Sequence, residues 1–219
     1  MENSTLLTSP KARVLLLVLI LILAGSVVFI IRSSHKTRDR SYLQTLESLA
    51  FNKYLGSPIA PDSVHHFGTW DGYLLTGTEY QCVLGGHYGL LAHTGTEADK
   101  TVFWLQTGQE CWPEHPNCSQ WNRSDAEALA YIASGANGGP FGPVSADPDN
   151  PVADWNYIII PTCDGSFHFG DAAADYDRDG VPDHFHNGLR QTSAAVSLMK
   201  ELFPNSRKLL IAGFRSPNF

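Results

Sequence analysis

Basic residues are scarce in this chain of 219 residues. Lys and Arg number 15 against 22 Asp and Glu, a formal charge of −7. No stretch offers the basic face that a phosphate backbone needs, so nucleic acid is excluded as a partner. Charge of either sign is missing altogether from Val14 to Ile31, a run bracketed by Arg13 and Arg32. That absence excludes a soluble core helix there, because such a helix keeps a polar face. The run reaches the lower range for a membrane-spanning helix. It exceeds the usual apolar core of a secretory signal, about 7–15 residues. Ala24-Gly25-Ser26 offers small residues for cleavage, but apolar residues continue past them. An uncleaved single-pass anchor is the expectation, with a cleaved signal as the alternative. Cysteine is also sparse, at four residues. Cys111 and Cys118 flank a short loop holding Pro113 and Pro116, as a local disulfide would. That leaves Cys82 and Cys163 as a possible second pair. No internal repeat occurs, and the length suits one domain of ordinary size.

What is present divides the chain into four parts. Residues 1–13 form a tail, 14–31 the transmembrane anchor, 32–65 a juxtamembrane stalk and 66–219 a folded domain. In the stalk, Tyr42 to Leu55 has apolar residues at near-helical spacing, broken by Gly56-Ser57-Pro58. In the domain, Val83 to Leu91 and Thr101 to Leu105 read as early strands, joined by the turn-rich His93 to Lys100. Ser124 to Ala133 reads as a helix, with Ser124 and Glu127 as a capping box. Gly135 to Val152 is rich in Gly, Pro and Asp and reads as a long surface loop. Trp155 to Pro161 and Lys208 to Phe214 read as buried strands, and Leu189 to Phe203 between them as a crossover helix closed by Pro204. Strand, helix and strand make a parallel βαβ unit, hence an α/β class.

The second of those strands runs toward a missing residue. A nucleophile elbow has the form G-x-S-x-G, in which a sharp strand-to-helix turn exposes the serine. Here Gly213-Phe214 is followed by Arg215-Ser216-Pro217. Arginine stands in the serine slot and no closing glycine follows, so no catalytic residue is assigned. Ser216 lies one position late and has no downstream acid and histidine to complete a triad.

Two other stretches carry chemistry. After the Phe103 to Leu105 strand, Thr107, Gly108 and Gln109 are candidates to donate backbone N–H groups to an oxyanion. The same residues also suit an ordinary strand-to-helix turn. Farther on, Asp175, Asp177 and Asp179 alternate, Gly180 follows, and Asp183 sits at a later ligand position. Alternate carboxylates around a glycine turn are the opening of a calcium loop. His186 stands where an EF-hand needs a bidentate glutamate, so a complete EF-hand is not expected. A solvated acidic loop is the competing reading. His168 and His186 are each chemically capable of acting as metal ligand or base.

Several motifs, taken in order, resemble the pectinacetylesterase/Notum family of carboxylesterases. They are Tyr80-Gln81-Cys82, Phe103 to Trp112, Cys163 to Gly170, His186-Asn187-Gly188 and Leu209 to Phe214. The resemblance covers roughly Asp71 to Phe214 and implies the N-terminal half of an α/β-hydrolase, with a mostly parallel sheet. It implies hydrolysis of O-acyl esters on a polysaccharide or an acylated protein. It also implies that His168 and His186 contact substrate or support structure, rather than acting as the triad base. The family is secreted or lumenal, which places the domain outside the cytoplasm. The charges flanking the anchor favour the opposite orientation, while Asn117-Cys118-Ser119 and Asn122-Arg123-Ser124 are acceptor patterns for glycosylation of an exported domain. With Arg215 in the serine slot, the expected product is a truncated or frameshifted, inactive esterase. A membrane-tethered calcium-binding or interaction protein on a degenerate hydrolase fold is the alternative.

Overall fold

The computed structural model describes residues 44, 45, 47–57, 59–106, 111–112, 125–136 and 149–214. The chain divides into two compact units, residues 1–53 and 54–219. In the first, residues 44, 45, 47 and 48 are helical. That turn ends near Ala50, whose backbone is left-handed. Among the described residues no helix is long and apolar enough to cross a membrane. The Val14 to Ile31 span lies outside them.

The second unit is built on a six-stranded mixed sheet. Its strands are β1 (Ser63–Phe67), β2 (Trp70–Leu75), β3 (Tyr88–His93), β4 (Glu97–Gln106), β5 (Trp155–Ile160) and β8 (Lys208–Phe214). Their spatial order is β1-β2-β3-β5-β4-β8. Strands β5, β4 and β8 run parallel, and β1, β2 and β3 extend the sheet antiparallel. A two-stranded hairpin, β6 (Ala172–Ala174) with β7 (His184–His186), stands apart from it. Helices α1 (Ala126–Ala136) and α2 (Gly188–Leu202) complete the fold.

The side-chain alternation of the strands explains why the two helices take opposite faces. Leu90, Phe103, Ile158 and Ile160 pack with Ala194, Ala195 and Leu198 of α2. Leu91, Val102, Trp104, Tyr157 and Ile159 pack with Leu129 and Ala133 of α1. Burial on both sides is why these strands read as unbroken apolar runs. On the α1 side, Tyr157 sends its hydroxyl to the Val152 carbonyl at 2.6 Å. Burial pushes that phenol up to about 12, so it remains a donor at physiological pH.

Several boundaries differ from those expected. The strand read from Val83 starts only at Tyr88, because Gly85 and Gly86 both take left-handed backbone at φ 84° and 87°. β4 starts four residues before Thr101, through an irregularity between Glu97 and Thr101. β1 begins at Ser63, inside the stretch read as stalk. Ahead of it, Tyr54 donates to Asp171 Oδ1 at 2.8 Å and lies under the Arg190 guanidinium at 4.1 Å. The βαβ unit of β5, α2 and β8 is parallel as expected, but β4 lies between its two strands. Helix α1 is capped by Asp125, whose Oδ1 accepts from Ala128 N–H at 3.0 Å. Ser124, the expected cap, lies outside the described residues.

Cys82 and Cys163 form a disulfide with a Cα–Cα distance of 4.9 Å across 81 residues. It joins the loop before β3 to the end of β5. In the chain-entropy account, closing a loop of that length stabilises by roughly 4 kcal/mol. Cys111 is also disulfide-bonded. Cys118 lies outside the described residues.

Candidate functional site

The parallel strands β5, β4 and β8 all end at one edge of the sheet. The chain leaves β4 for α1 on one face and leaves β5 for α2 on the other. Neighbouring strands that send their connections to opposite faces open a crevice beyond their carboxyl ends, where α/β folds bind ligands. The residues that meet there are Gln106 from β4 and the segment Thr162 to Gly170 that follows β5.

That segment has an unusual backbone. Phe167 and His168 are consecutive non-glycine residues with left-handed backbone, at φ 55° and 71°. Each such residue costs on the order of 1–3 kcal/mol and persists only where its surroundings hold it. The surroundings are polar and mostly satisfied. The Thr162 hydroxyl donates to the Gln106 carbonyl. His168 Nε2 lies 2.9 Å from Thr162 Oγ1 and 3.1 Å from the Gln106 oxygen. The His168 carbonyl accepts from Thr192 of α2 at 3.1 Å. The ring is thereby drawn inward, while Phe167 and Phe169 on either side are exposed.

Chemistry settles the proton on His168. The Gln106 carbonyl only accepts, and Thr162 has already committed its hydrogen to it. Nε2 must therefore carry a hydrogen to share with both oxygens. A ring that donates at Nε2 cannot take the Thr162 proton, so this pair is not a nucleophile and base. Burial holds the His168 pKa below its ordinary value, against the opposing pull of Asp164. His186 is fixed the other way round. Its Nδ1 donates to the Asp164 carbonyl at 2.7 Å, so Nε2 accepts from the Tyr176 hydroxyl at 2.9 Å. Both histidines brace loops, His168 through Nε2 and His186 through both ring nitrogens.

Asp164 is fully buried and anchors the other end of the segment. It accepts from the Ser166 amide at 3.2 Å, from the Ser166 hydroxyl, and from the Gly188 amide at 2.8 Å. The last bond places a carboxylate on the first N–H of α2, where the helix dipole favours negative charge. Gly188 permits that approach, since a Cβ there would lie 2.7 Å from the His168 backbone. Asp164, Thr162, Ser166 and Tyr176 were not singled out from the sequence. The turn residues Asp164-Gly165-Ser166 were the available signal, because an Asx turn directs the Asp side chain at its own backbone.

The acidic loop divides the residues expected to act together. Carboxylate oxygens of Asp175, Asp177 and Asp179 all lie within 4.8 Å of one another. Asp183 does not join them. Its Oδ1 accepts from the Tyr176 amide at 3.1 Å and faces His184 Nδ1 at 2.8 Å. Asp175 also ties the loop to itself, accepting from Arg178 at 2.7 Å and Gly180 at 2.8 Å. The amide of Asp179 favours the Asp177 carboxylate, but lost solvation and the neighbouring carboxylates outweigh it, and the Asp177 pKa is raised. The hydrogen bond to His184 holds Asp183 low.

Thr107, Gly108, Gln109 and Arg215 lie outside the described residues. Their strands do not: Leu105 pairs with Gly213 and Gln106 with Phe214, so β4 and β8 end side by side.

No family profile matches the chain, and no curated protein matches it. Among solved structures, it is similar to the Wnt deacylase Notum from Drosophila, at 18% identity and a TM-score of 0.47. The match covers 65% of this chain and 42% of that one.

Proposed function

We propose that this chain is built on the N-terminal half of an α/β-hydrolase domain of the pectinacetylesterase and Notum kind. Enzymes on that scaffold would remove O-acyl groups from a polysaccharide or a protein. One observation carries the reading: β4 and β8 run parallel as neighbours and end on the same rung, Gln106 opposite Phe214. In such a hydrolase the oxyanion accepts one N–H from the residue after the nucleophile and one from the turn beyond a nearby strand. The two strand ends must therefore be close together. In sequence, Thr107, Gly108 and Gln109 follow one end and Arg215 follows the other.

Arg215 offers no nucleophilic oxygen, so no acyl-enzyme can form at that position. The chain as written is accordingly an esterase scaffold without turnover. The check is hydrolysis of a chromogenic acetyl ester by the purified chain. Rates equal to those of a Ser216→Ala variant are expected. Turnover that disappears with Ser216→Ala would overturn the reading.

The domain belongs on the exported side of the membrane in this reading, with residues 14–31 as its anchor. The Cys82–Cys163 disulfide supports that side, because such bonds persist in oxidising compartments.

A second reading, of a non-catalytic calcium-binding protein, is favoured by the convergence of Asp175, Asp177 and Asp179. A hard divalent cation would relieve the mutual repulsion of the three converging carboxylates. Extracellular modules of this sort bind with Kd of about 10⁻⁴–10⁻³ M. Calorimetric titration with calcium should give heat that an Asp177→Asn, Asp179→Asn variant lacks. Equal heats from both proteins would leave the loop as an acidic turn held by its own amides.

A further inference from the structure

Residues 54–57 and 59–62 run from the rim of the crevice to the start of β1, and three contacts hold them. Next to β1, Asp62 donates its amide to the Leu74 carbonyl at 2.9 Å and accepts from the Thr76 amide at 2.7 Å. In the middle, Ile59 packs against the core that α2 covers. At the rim, the Tyr54 hydroxyl donates to Asp171 Oδ1 at 2.8 Å. The Arg190 guanidinium lies 4.1 Å from the centre of the Tyr54 ring, and its Nε lies 3.8 Å from the same Asp171 oxygen. Asp171 directly follows Gly170, the last residue of the crevice segment, and Arg190 stands in the first turn of α2. The segment carries the left-handed Phe167 and His168, a conformation that persists only where its surroundings hold it. Toward β5 the contacts of His168 supply that hold. Toward Asp171, the Gly170 amide donates to Ser166 Oγ at 2.7 Å and the Gly170 carbonyl accepts from the Leu189 amide at 2.9 Å.

We infer that this stretch is a strap and Tyr54 its latch: closed on Asp171 and Arg190, it keeps the strained turn at Phe167 and His168 in place, and its release loosens the crevice segment. Tyr54 joins the end of that segment to the start of α2, the helix already tied to the segment's other end through Asp164 and Gly188. The latch can open alone. Tyr54 is only half-buried, and water can replace its hydrogen bond, whereas Ile59 has no such substitute for its apolar neighbours. The chain ahead of Tyr54 leads in sequence to the proposed anchor at 14–31, and Tyr54 is the first residue of the second compact unit. The latch rests on neither the esterase reading nor the anchor, since all its contacts lie within residues 54–214.

Amide hydrogen exchange on the full chain in detergent micelles tests the latch. Tyr54→Phe keeps the ring beside Arg190 and removes only the donor to Asp171. It should speed exchange of the Phe169 and Gly170 amides, which both bond to Ser166, by roughly three- to tenfold, the net worth of one hydrogen bond. Tyr54→Ala also removes the ring contact and should speed it further. Amides of the β4–β5 ladder should keep the wild-type rate, because the strap's other contacts remain and only a local opening is eased. In an Asp171→Ala background, Tyr54→Phe should add nothing, since its partner is already gone. Unchanged exchange at Phe169 and Gly170 in Tyr54→Ala, acceleration of the β4–β5 ladder by the same factor, or an undiminished effect of Tyr54→Phe without Asp171 would each overturn the inference.

Discussion

At the scale of single residues, His168 does the most to shape the crevice. Its ring bonds the ends of β4 and β5, and its carbonyl takes a bond from α2. It is held neutral by burial, with its pKa below the ordinary 6.5. In the unfolded chain it titrates near 6.5, so between that value and the folded one the unfolded state binds more protons. The stability conferred by the neutral ring is complete above pH 6.5 and declines as pH falls through the folded value. A His168→Gln variant retains an N–H donor but does not titrate. It should melt below the wild type at pH 7.5, and the gap should narrow by pH 5. Parallel melting curves against pH would show that His168 protonation has no part in acid sensitivity. Asp62 and Asp183 also lose their hydrogen-bonded charge in acid. They do so equally in both proteins and cancel in the comparison.

At the scale of elements, the two helices are held by different means. Helix α2 begins against the buried Asp164 carboxylate, and Gln191 within it donates to the Tyr80 and Gln81 carbonyls at 3.0 and 3.1 Å. Helix α1 instead carries a local cap at Asp125 and a single apolar face centred on Leu129 and Ala133. Asp125→Ala should destabilise the fold by about 1 kcal/mol, since an N-cap replaced by alanine costs roughly 0.5–2 kcal/mol. Urea unfolding reads this as a lower midpoint at unchanged slope, and Asp125→Asn should recover most of the loss. No change in midpoint for the alanine variant would show that the amide finds another partner. The β1–β2 hairpin, which the sequence reading did not find, also carries a local signal. Phe67 and Trp70 pair across the two residues Gly68 and Thr69, with Gly68 at φ 66°, and a glycine-led two-residue loop marks a tight hairpin.

At the scale of the whole molecule, the proposal of a domain tethered by residues 14–31 in an oxidising space rests on that uncharged span and on the Cys82–Cys163 bond. The disulfide is buried and lies between the end of β5 and the loop before β3. A reducing compartment would not maintain such a bond. Protease added outside intact cells should therefore cut the domain and leave a short membrane-bound fragment. Full protection, with cleavage only after the membrane is opened, would put the domain on the cytoplasmic side.

Much of the architecture was already determined by the sequence alone. Trp155 to Ile160 and Lys208 to Phe214 read as strands from their apolar runs, and Leu189 to Phe203 as a helix; the structure forms all three, burying the first strand but leaving Leu209, Leu210 and Ile211 of the other exposed. That Arg215 follows Gly213-Phe214, where a nucleophile elbow would carry serine, is read from the sequence alone. The alternation of three carboxylates was equally plain, because ligand spacing within a loop is a local property. Tertiary structure alone decided what depends on residues far apart in the chain. It inserted β4 between β5 and β8, joined Gln106 to Thr162 and His168, and turned Asp183 away from the other carboxylates toward His184. It also made donors or acceptors of particular histidine nitrogens, since a ring's tautomer follows from the partners that packing brings to it.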